Sequence, residues 1–173
     1  MLAHLDWVRS AYPFAGPLRE AIHRFKYGKE RARAAPLAAA CAPLLEQLPA
    51  AIRQTQPLLC PVPLSAARRR ERGYNQAEEL ARSLSAACGW SPSTALARIR
   101  ATPPQVGLDP AARRANVRGA FAWQGTPLAG SPVLLIDDVL TTGATANECA
   151  AVLKAAGASW VGLLTVARAG DGR

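Results

Sequence analysis

Val133-Leu134-Leu135-Ile136-Asp137-Asp138-Val139-Leu140-Thr141-Thr142-Gly143-Ala144-Thr145 is the stretch on which the fold turns. Its first four residues are apolar without a break, the pattern of a short strand buried on both faces, as in a parallel sheet. Two carboxylates follow at the carboxyl end of that strand, where open α/β sheets place their ligands. A turn of small hydroxyl residues and one glycine comes next and opens a helix. The amino end of a helix offers unpaired N–H groups and the positive end of a dipole to an anion.

The two halves of this run suit two different chemical groups. Asp137 and Asp138 are acceptors with two oxygens each, able to take both hydroxyls of a vicinal diol. Thr141, Thr142 and Thr145 can donate hydroxyls, and Gly143 lets backbone come close to a ligand. Together they suit a ribose 5-phosphate. There is no lysine and no G-x-x-x-x-G-K-[ST] spacing, so the run is not a nucleotide P-loop. The plain alternative is a buried strand and a capped helix with the acids as turn residues. Adjacent acids ending an apolar strand are costly unless something satisfies them, which favours a ligand.

Four apolar residues, two acids, two variable residues and T-T-G-A-T resemble the phosphoribosyl pyrophosphate signature of type I phosphoribosyltransferases. That resemblance implies ribose hydroxyls on Asp137 and Asp138, and a 5-phosphate on Thr141, Thr142, Gly143, Ala144 and Thr145. It also implies Mg2+ carried by the pyrophosphate, with Asp137 and Asp138 as the carboxylates within its reach.

The chain has 173 residues, half of them hydrophobic, which suits one domain with a real core. No apolar stretch approaches the roughly 18 residues of a membrane span. The opening MLAHLDWVRSAYPF lacks the basic-then-apolar order of a signal peptide. Cysteines 41, 60, 88 and 149 are scattered without a C-x-x-C, so buried thiols in a reducing cytoplasm are expected and a zinc site is not. Net charge is +9, and residues 66–118 hold ten arginines against four acids. Such an excess attracts polyanions, whether pyrophosphate, nucleic acid or an acidic partner; a merely solvated face is the alternative.

Along the chain, residues 1–15 read as irregular. Gly16-Pro17 starts a helix that Gly28 stops. Leu37, Ala40, Cys41, Leu44, Leu45 and Leu48 predict one helix with a single apolar stripe. A strand is predicted at about 57–62, then a basic loop from Arg68 to Arg72, then a helix capped by Asn75 with Glu78 completing a capping-box variant. Residues 94–99 and 120–123 read as short strands, and 101–118 as a long, flexible, lid-like loop. The signature strand, its helix and a last strand at 159–167 complete an α/β fold. A doubly wound, mostly parallel sheet with flanking helices follows.

A second block is P-V-P-L-S followed by R-R-R-E-R-G-Y-N-Q-A-E-E-L-A. It again runs strand, loop, helix, so its loop is expected across the cleft from the acids. Arginine meets arrays of phosphate oxygens with forked geometry. Arg68 and Arg72 are the candidate pyrophosphate ligands, with Gly73 serving a backbone need beside them. Asn75 reads as a cap and not as a ligand.

These blocks combine with Y-P-F-A-G-P-L-R-E-A-I-H-R-F-K-Y-G-K and with T-P-P-Q-V-G-L…R-R-A-N-V-R-G-A-F. In this order, over residues 12–168, they resemble the ComF family, phosphoribosyltransferase-like proteins associated with competence for DNA uptake. The resemblance implies a lid formed by Gln105, Arg113, Arg114, Asn116 and Arg118, and a variable hood for a base somewhere in residues 1–35. Family members commonly carry an amino-terminal four-cysteine zinc ribbon; this chain opens where that ribbon would have ended, either as a shorter form or with a trimmed start, which puts any role resting on the ribbon in doubt.

Three functions stay open on sequence. The chain could transfer phosphoribosyl to a nitrogen base. It could be a non-catalytic DNA-uptake module whose basic 66–118 region contacts single-stranded DNA or a competence helicase. It could sense phosphoribosyl pyrophosphate without turning it over. A homodimer is also open, since residues 1–15 and the sheet edges are unassigned.

Overall fold

The computed structural model of the protein describes residues 2–102 and 110–170, with backbone alone at 110, 111, 113 and 114. In chain order it runs β1 (Trp7–Pro13), α1 (Gly16–Tyr27), α2 (Ala34–Cys41), α3 (Ala50–Gln54), β2 (Leu58–Pro61), α4 (Ala66–Arg72) and α5 (Gln76–Cys88). Then follow β3 (Leu96–Arg98), α6 (Pro110–Val117), β4 (Phe121–Trp123), β5 (Val133–Leu140), α7 (Ala144–Ala155) and β6 (Val161–Arg168). The doubly wound α/β fold expected from the signature is present. Four parallel strands lie in the order β1-β6-β5-β2.

β5 is central because it is apolar on both sides. Val133 and Leu135 face the layer that holds Cys149, Ala150 and Leu153 of α7. Leu134 and Ile136 face Ile22 and Phe25 of α1, Leu37 and Ala38 of α2, and Leu80 and Leu84 of α5. Each face removes a row of branched side chains from water, worth roughly 1.5–3 kcal/mol per residue fully buried. β3 and β4 form a separate antiparallel hairpin that packs with the α7 layer.

Several expectations change. The supposedly irregular start contains β1, which joins the sheet edge with Trp7 opposite Gly162 and Tyr12 opposite Ala167. The hood region 1–35 is therefore partly sheet. The long apolar helix ends at Cys41 and continues as a 3-10 turn over Ala42–Gln47, because Pro43 supplies no N–H to the ladder. The basic loop is a helix, α4. Ser65 caps it by accepting from the Arg68 N–H at 3.3 Å, and Gly73 closes it at φ +80°. Within the lid-like loop, 110–117 is the helix α6, whose Val117 is buried beside α7. Cys41, Cys60 and Cys149 are buried, and burial pushes the Cys41 and Cys60 thiols up to about 12.

Candidate functional site

A cleft of about 670 Å3 opens at the carboxyl ends of β2 and β5. Asp137 and Asp138 line it from β5, Arg68 and Arg72 from α4, Gln76 from α5 and Arg98 from β3. Thus α4 does lie across from the acids, as the strand–loop–helix reading required. β5 runs two residues past the acids to Leu140, so the pair sits inside the strand and not at its end.

Neighbouring strand residues point to opposite faces, and the two acids obey this. Asp138 turns toward α1 and is buried; Lys26 Nζ donates to its Oδ1 at 2.9 Å. Asp137 turns toward α7 and lines a smaller hollow of about 50 Å3 with Thr141, Thr142, Gly143, Ala144 and Thr145. Its Oδ1 accepts from the Asp138 N–H at 2.8 Å. Burial, and then the negative charge of Asp138, raise the Asp137 carboxyl to about 7, while Lys26 and Arg72 pull the other way. An acid so destabilised in its charged form gains from any donor or cation that reaches it.

The residues expected to cradle a phosphate line this hollow together. Gly143 is the N-cap of α7 at φ +74° and supplies no side-chain cap. The amino end of this twelve-residue helix borders the hollow, and there Thr142 Oγ1 accepts from Ala144 N–H at 3.4 Å. The positive φ favours glycine, and a Cβ on Gly143 would lie 2.6 Å from Leu2 Cδ2, so the end of that side chain would have to shift.

The opposite wall is cationic and under-satisfied. Arg72 is 6% exposed; its Nη1 donates to Gln76 Oε1 at 2.7 Å and its Nη2 to Tyr27 Oη at 3.3 Å. The guanidinium also lies 4.9 Å from the Tyr27 ring centroid. Because Gln76 gives its oxygen to Arg72, its amide nitrogen is left as a donor. Three buried nitrogens, Arg72 Nε, Gln76 Nε2 and Arg98 Nε, have no hydrogen-bond partner among the described residues. All three residues line the same cleft. Buried donors are costly when unpaired, and a ligand rich in acceptor oxygens would satisfy them.

No family model matches the chain. It is 34% identical over 164 residues to DNA utilization protein YhgH of Salmonella typhimurium, covering 90% of this chain and 70% of that protein. It is 37% identical over 155 residues to the protein of the same name from Escherichia coli K12, covering 86% and 66%. Competence protein F of Haemophilus influenzae is 36% identical over 117 residues, covering 64% and 50%. The chain belongs to the ComF family.

In this ComF-family protein the anticipated residues divide. Asp137, Asp138, Arg68, Arg72, Thr141 and Thr145 line the main cleft, and Thr142, Gly143 and Ala144 line the hollow. Gly73 does neither; it closes α4. Arg118 is exposed, and its carbonyl and that of Asn116 accept from Arg100 Nη2. Gln105 and the side chains of Arg113 and Arg114 lie outside the described residues. Asn75 is the cap anticipated, accepting from Ala77 N–H at 3.0 Å.

Lys26, Tyr27, Gln76 and Arg98 were not singled out from sequence. Lys26 and Tyr27 sit in the last turn of α1, far along the chain from the acids. Arg98 is held at the cleft by the hairpin, where its guanidinium donates to Thr102 Oγ1 and lies 5.4 Å from the Phe121 ring centroid. Burial, and after it the nearby Arg68 and Arg100, lower its pKa. Only the run of aromatic and basic residues around H-R-F-K-Y-G-K could have flagged Lys26 and Tyr27, and its spacing names no ligand. Among the described residues no helix is long and apolar enough to cross a membrane.

Proposed function

We propose that the cleft binds phosphoribosyl pyrophosphate together with Mg2+, and that the protein transfers phosphoribosyl to a nitrogen base. The observation that carries this reading is the convergence of three buried donors, unpaired among the described residues, on a cleft whose floor is an acid pair and whose corner is the amino end of α7. An elongated ligand with a phosphate at one end, a diol in the middle and a diphosphate at the other matches that order of groups. The ribose hydroxyls would donate to Asp137 and Asp138, the 5-phosphate would sit in the Thr141–Thr145 hollow, and the diphosphate would face Arg68, Arg72, Gln76 and Arg98.

The residues fit magnesium chiefly through its ligand. Asp138 already holds Lys26, and no cluster of three or more His, Cys, Asp or Glu suited to a metal occurs among the described residues. Asp137 is the one of the two that has no ion pair among the described residues. Mg2+ would supply charge neutralisation of the departing diphosphate. The arginines would share that task, and positioning of the sugar would do the rest.

The names of the relatives, DNA utilization and competence, support a role in handling imported DNA. A second reading keeps that role without catalysis, with single-stranded DNA or a helicase on the basic 66–118 region, or with the cleft acting as a sensor. Part of that region's charge is already engaged: Arg69 pairs with Glu78, and Arg82 with Glu79 at 2.8 Å.

Calorimetric titration with phosphoribosyl pyrophosphate and Mg2+ tests the reading. Binding by the native chain and none by the Asp137→Asn, Asp138→Asn double variant is expected. A flat titration of the native chain would sink it. Assaying released pyrophosphate across nitrogen bases then separates enzyme from sensor. DNA binding that is strong and falls steeply with salt, with no response to phosphoribosyl pyrophosphate, would favour the second reading.

A further inference from the structure

The last turn of α1 reaches a functional residue on each wall of the cleft. Lys26 reaches Asp138 at 2.9 Å and Tyr27 reaches Arg72 at 3.3 Å, from adjacent positions in the chain. The turn that carries them is itself fixed. Tyr74, buried between α4 and α5, donates its hydroxyl to the Phe25 carbonyl, and the Phe25 and Tyr74 rings lie 5.8 Å apart. Gly28 N–H closes the helix on the Arg24 carbonyl at 2.7 Å. So the end of α1 is anchored to the α4–α5 corner before it touches either functional residue.

Neither contact reads as general surface adhesion. Asp138 is buried, and a buried carboxylate needs a cation or donors to stay charged. Lys26 is its one ion-pair partner among the described residues. It leaves the second carboxylate oxygen of Asp138 without an ion pair. Arg72 is equally buried, and the Tyr27 ring and hydroxyl together fix the plane of its guanidinium. With Gln76 holding Nη1, that plane leaves Nε unpaired in a residue that lines the cleft. Each α1 residue thus sets the orientation of one binding group on one wall.

We propose that Lys26 and Tyr27 are positioning residues for the bound ligand, Lys26 through Asp138 for the sugar and Tyr27 through Arg72 for the diphosphate. This rests on the binding reading above and adds a division of labour that the strand–turn–helix signature does not contain. α1 then acts as a clasp that aligns both walls on one ligand.

The test uses three probes on the full chain with Mg2+: phosphoribosyl pyrophosphate, ribose 5-phosphate and inorganic pyrophosphate. Lys26→Met is expected to weaken ribose 5-phosphate about tenfold and pyrophosphate much less, the size of one lost charge-assisted contact. Tyr27→Leu is expected to show the reverse, about tenfold on pyrophosphate and little on ribose 5-phosphate. Lys26→Arg should recover most of the sugar affinity, and Tyr27→Phe, which keeps the ring over Arg72, most of the pyrophosphate affinity. Thermal unfolding checks that each variant is folded, and Lys26→Gln repeats the comparison if Lys26→Met does not fold. Equal losses on both fragments, or no loss, in folded variants of a chain that binds phosphoribosyl pyrophosphate would overturn the clasp and leave the binding reading standing. Failure of the native chain to bind phosphoribosyl pyrophosphate would overturn both.

Discussion

The wall built from β5, the Thr141–Gly143 turn and α7 comes from one unbroken stretch of chain, 133–155, while the facing wall is assembled from four separate elements, α1, α4, α5 and β3, spread over residues 16–98. In the first, local rules do nearly everything: an apolar strand, a glycine at positive φ and a helix start follow one another. In the second, the contacts of Lys26 and Tyr27 with Asp138 and Arg72 exist only once the fold has formed. Arg72 acquires its meaning from Tyr27 and Gln76, and Asp138 from Lys26. A contiguous wall can be read as a motif; a composite wall can be read only after packing has brought its pieces together.

The strongest way to break this contrast is to empty the contiguous wall. Asp137→Asn with Asp138→Asn should cost at least about a hundredfold in phosphoribosyl pyrophosphate affinity by calorimetry, since two sets of charge-assisted bonds disappear. Next comes the turn. Gly143→Ala places a side chain at φ +74° and 2.6 Å from Leu2 Cδ2. It should lower unfolding stability by about 1–3 kcal/mol in a urea titration, with loss of 5-phosphate binding.

The composite wall is probed through its geometry and not its charge. Arg72→Lys keeps the charge but loses the forked donor set and the stacking on Tyr27. A loss of about tenfold in pyrophosphate affinity is expected; a loss under twofold would mean that charge alone matters there. A smaller effect concerns pH. The Asp137 carboxyl is raised to about 7 from its ordinary 3.8. A group raised in the folded state favours folding below its unfolded value and loses that contribution as pH rises through about 7. The melting temperature of Asp137→Asn should therefore gain on the native chain between pH 5 and 8, and parallel curves would refute the assignment. Smallest is Arg69→Ala on the outer face of α4, where the guanidinium already pairs with Glu78. Less than about twofold change in ligand affinity is expected, the usual scale for an exposed pair.

Much of the contiguous wall was legible beforehand because its signals are local. The apolar run, the acid pair and Gly143 each act within a few residues of themselves, as does the Asn75 cap on the facing wall. What escaped did so for physical reasons. β1 has one neighbour in the sheet and a mixed surface with exposed Arg9 and Tyr12, so it lacks the apolar run of a buried strand. α4 hid behind its arginines, although arginine is a good helix former and Ser65 and Gly73 bracket it. The apolar stripe beyond Cys41 kept helical spacing but not a helix, because periodicity does not register the missing N–H of Pro43. Lys26 and Tyr27 escaped because their partners are set by tertiary contact alone.

Adjacent numbering of Asp137 and Asp138 conceals that they serve different sides of the sheet. A one-residue slip of β5 against its neighbours would exchange them, handing Asp137 to the Lys26 ammonium and swinging Asp138 toward the threonine hollow. Deleting a single residue from the loop before Val133 is thus safer for the cleft than deleting one inside the strand, even though both shorten the chain equally.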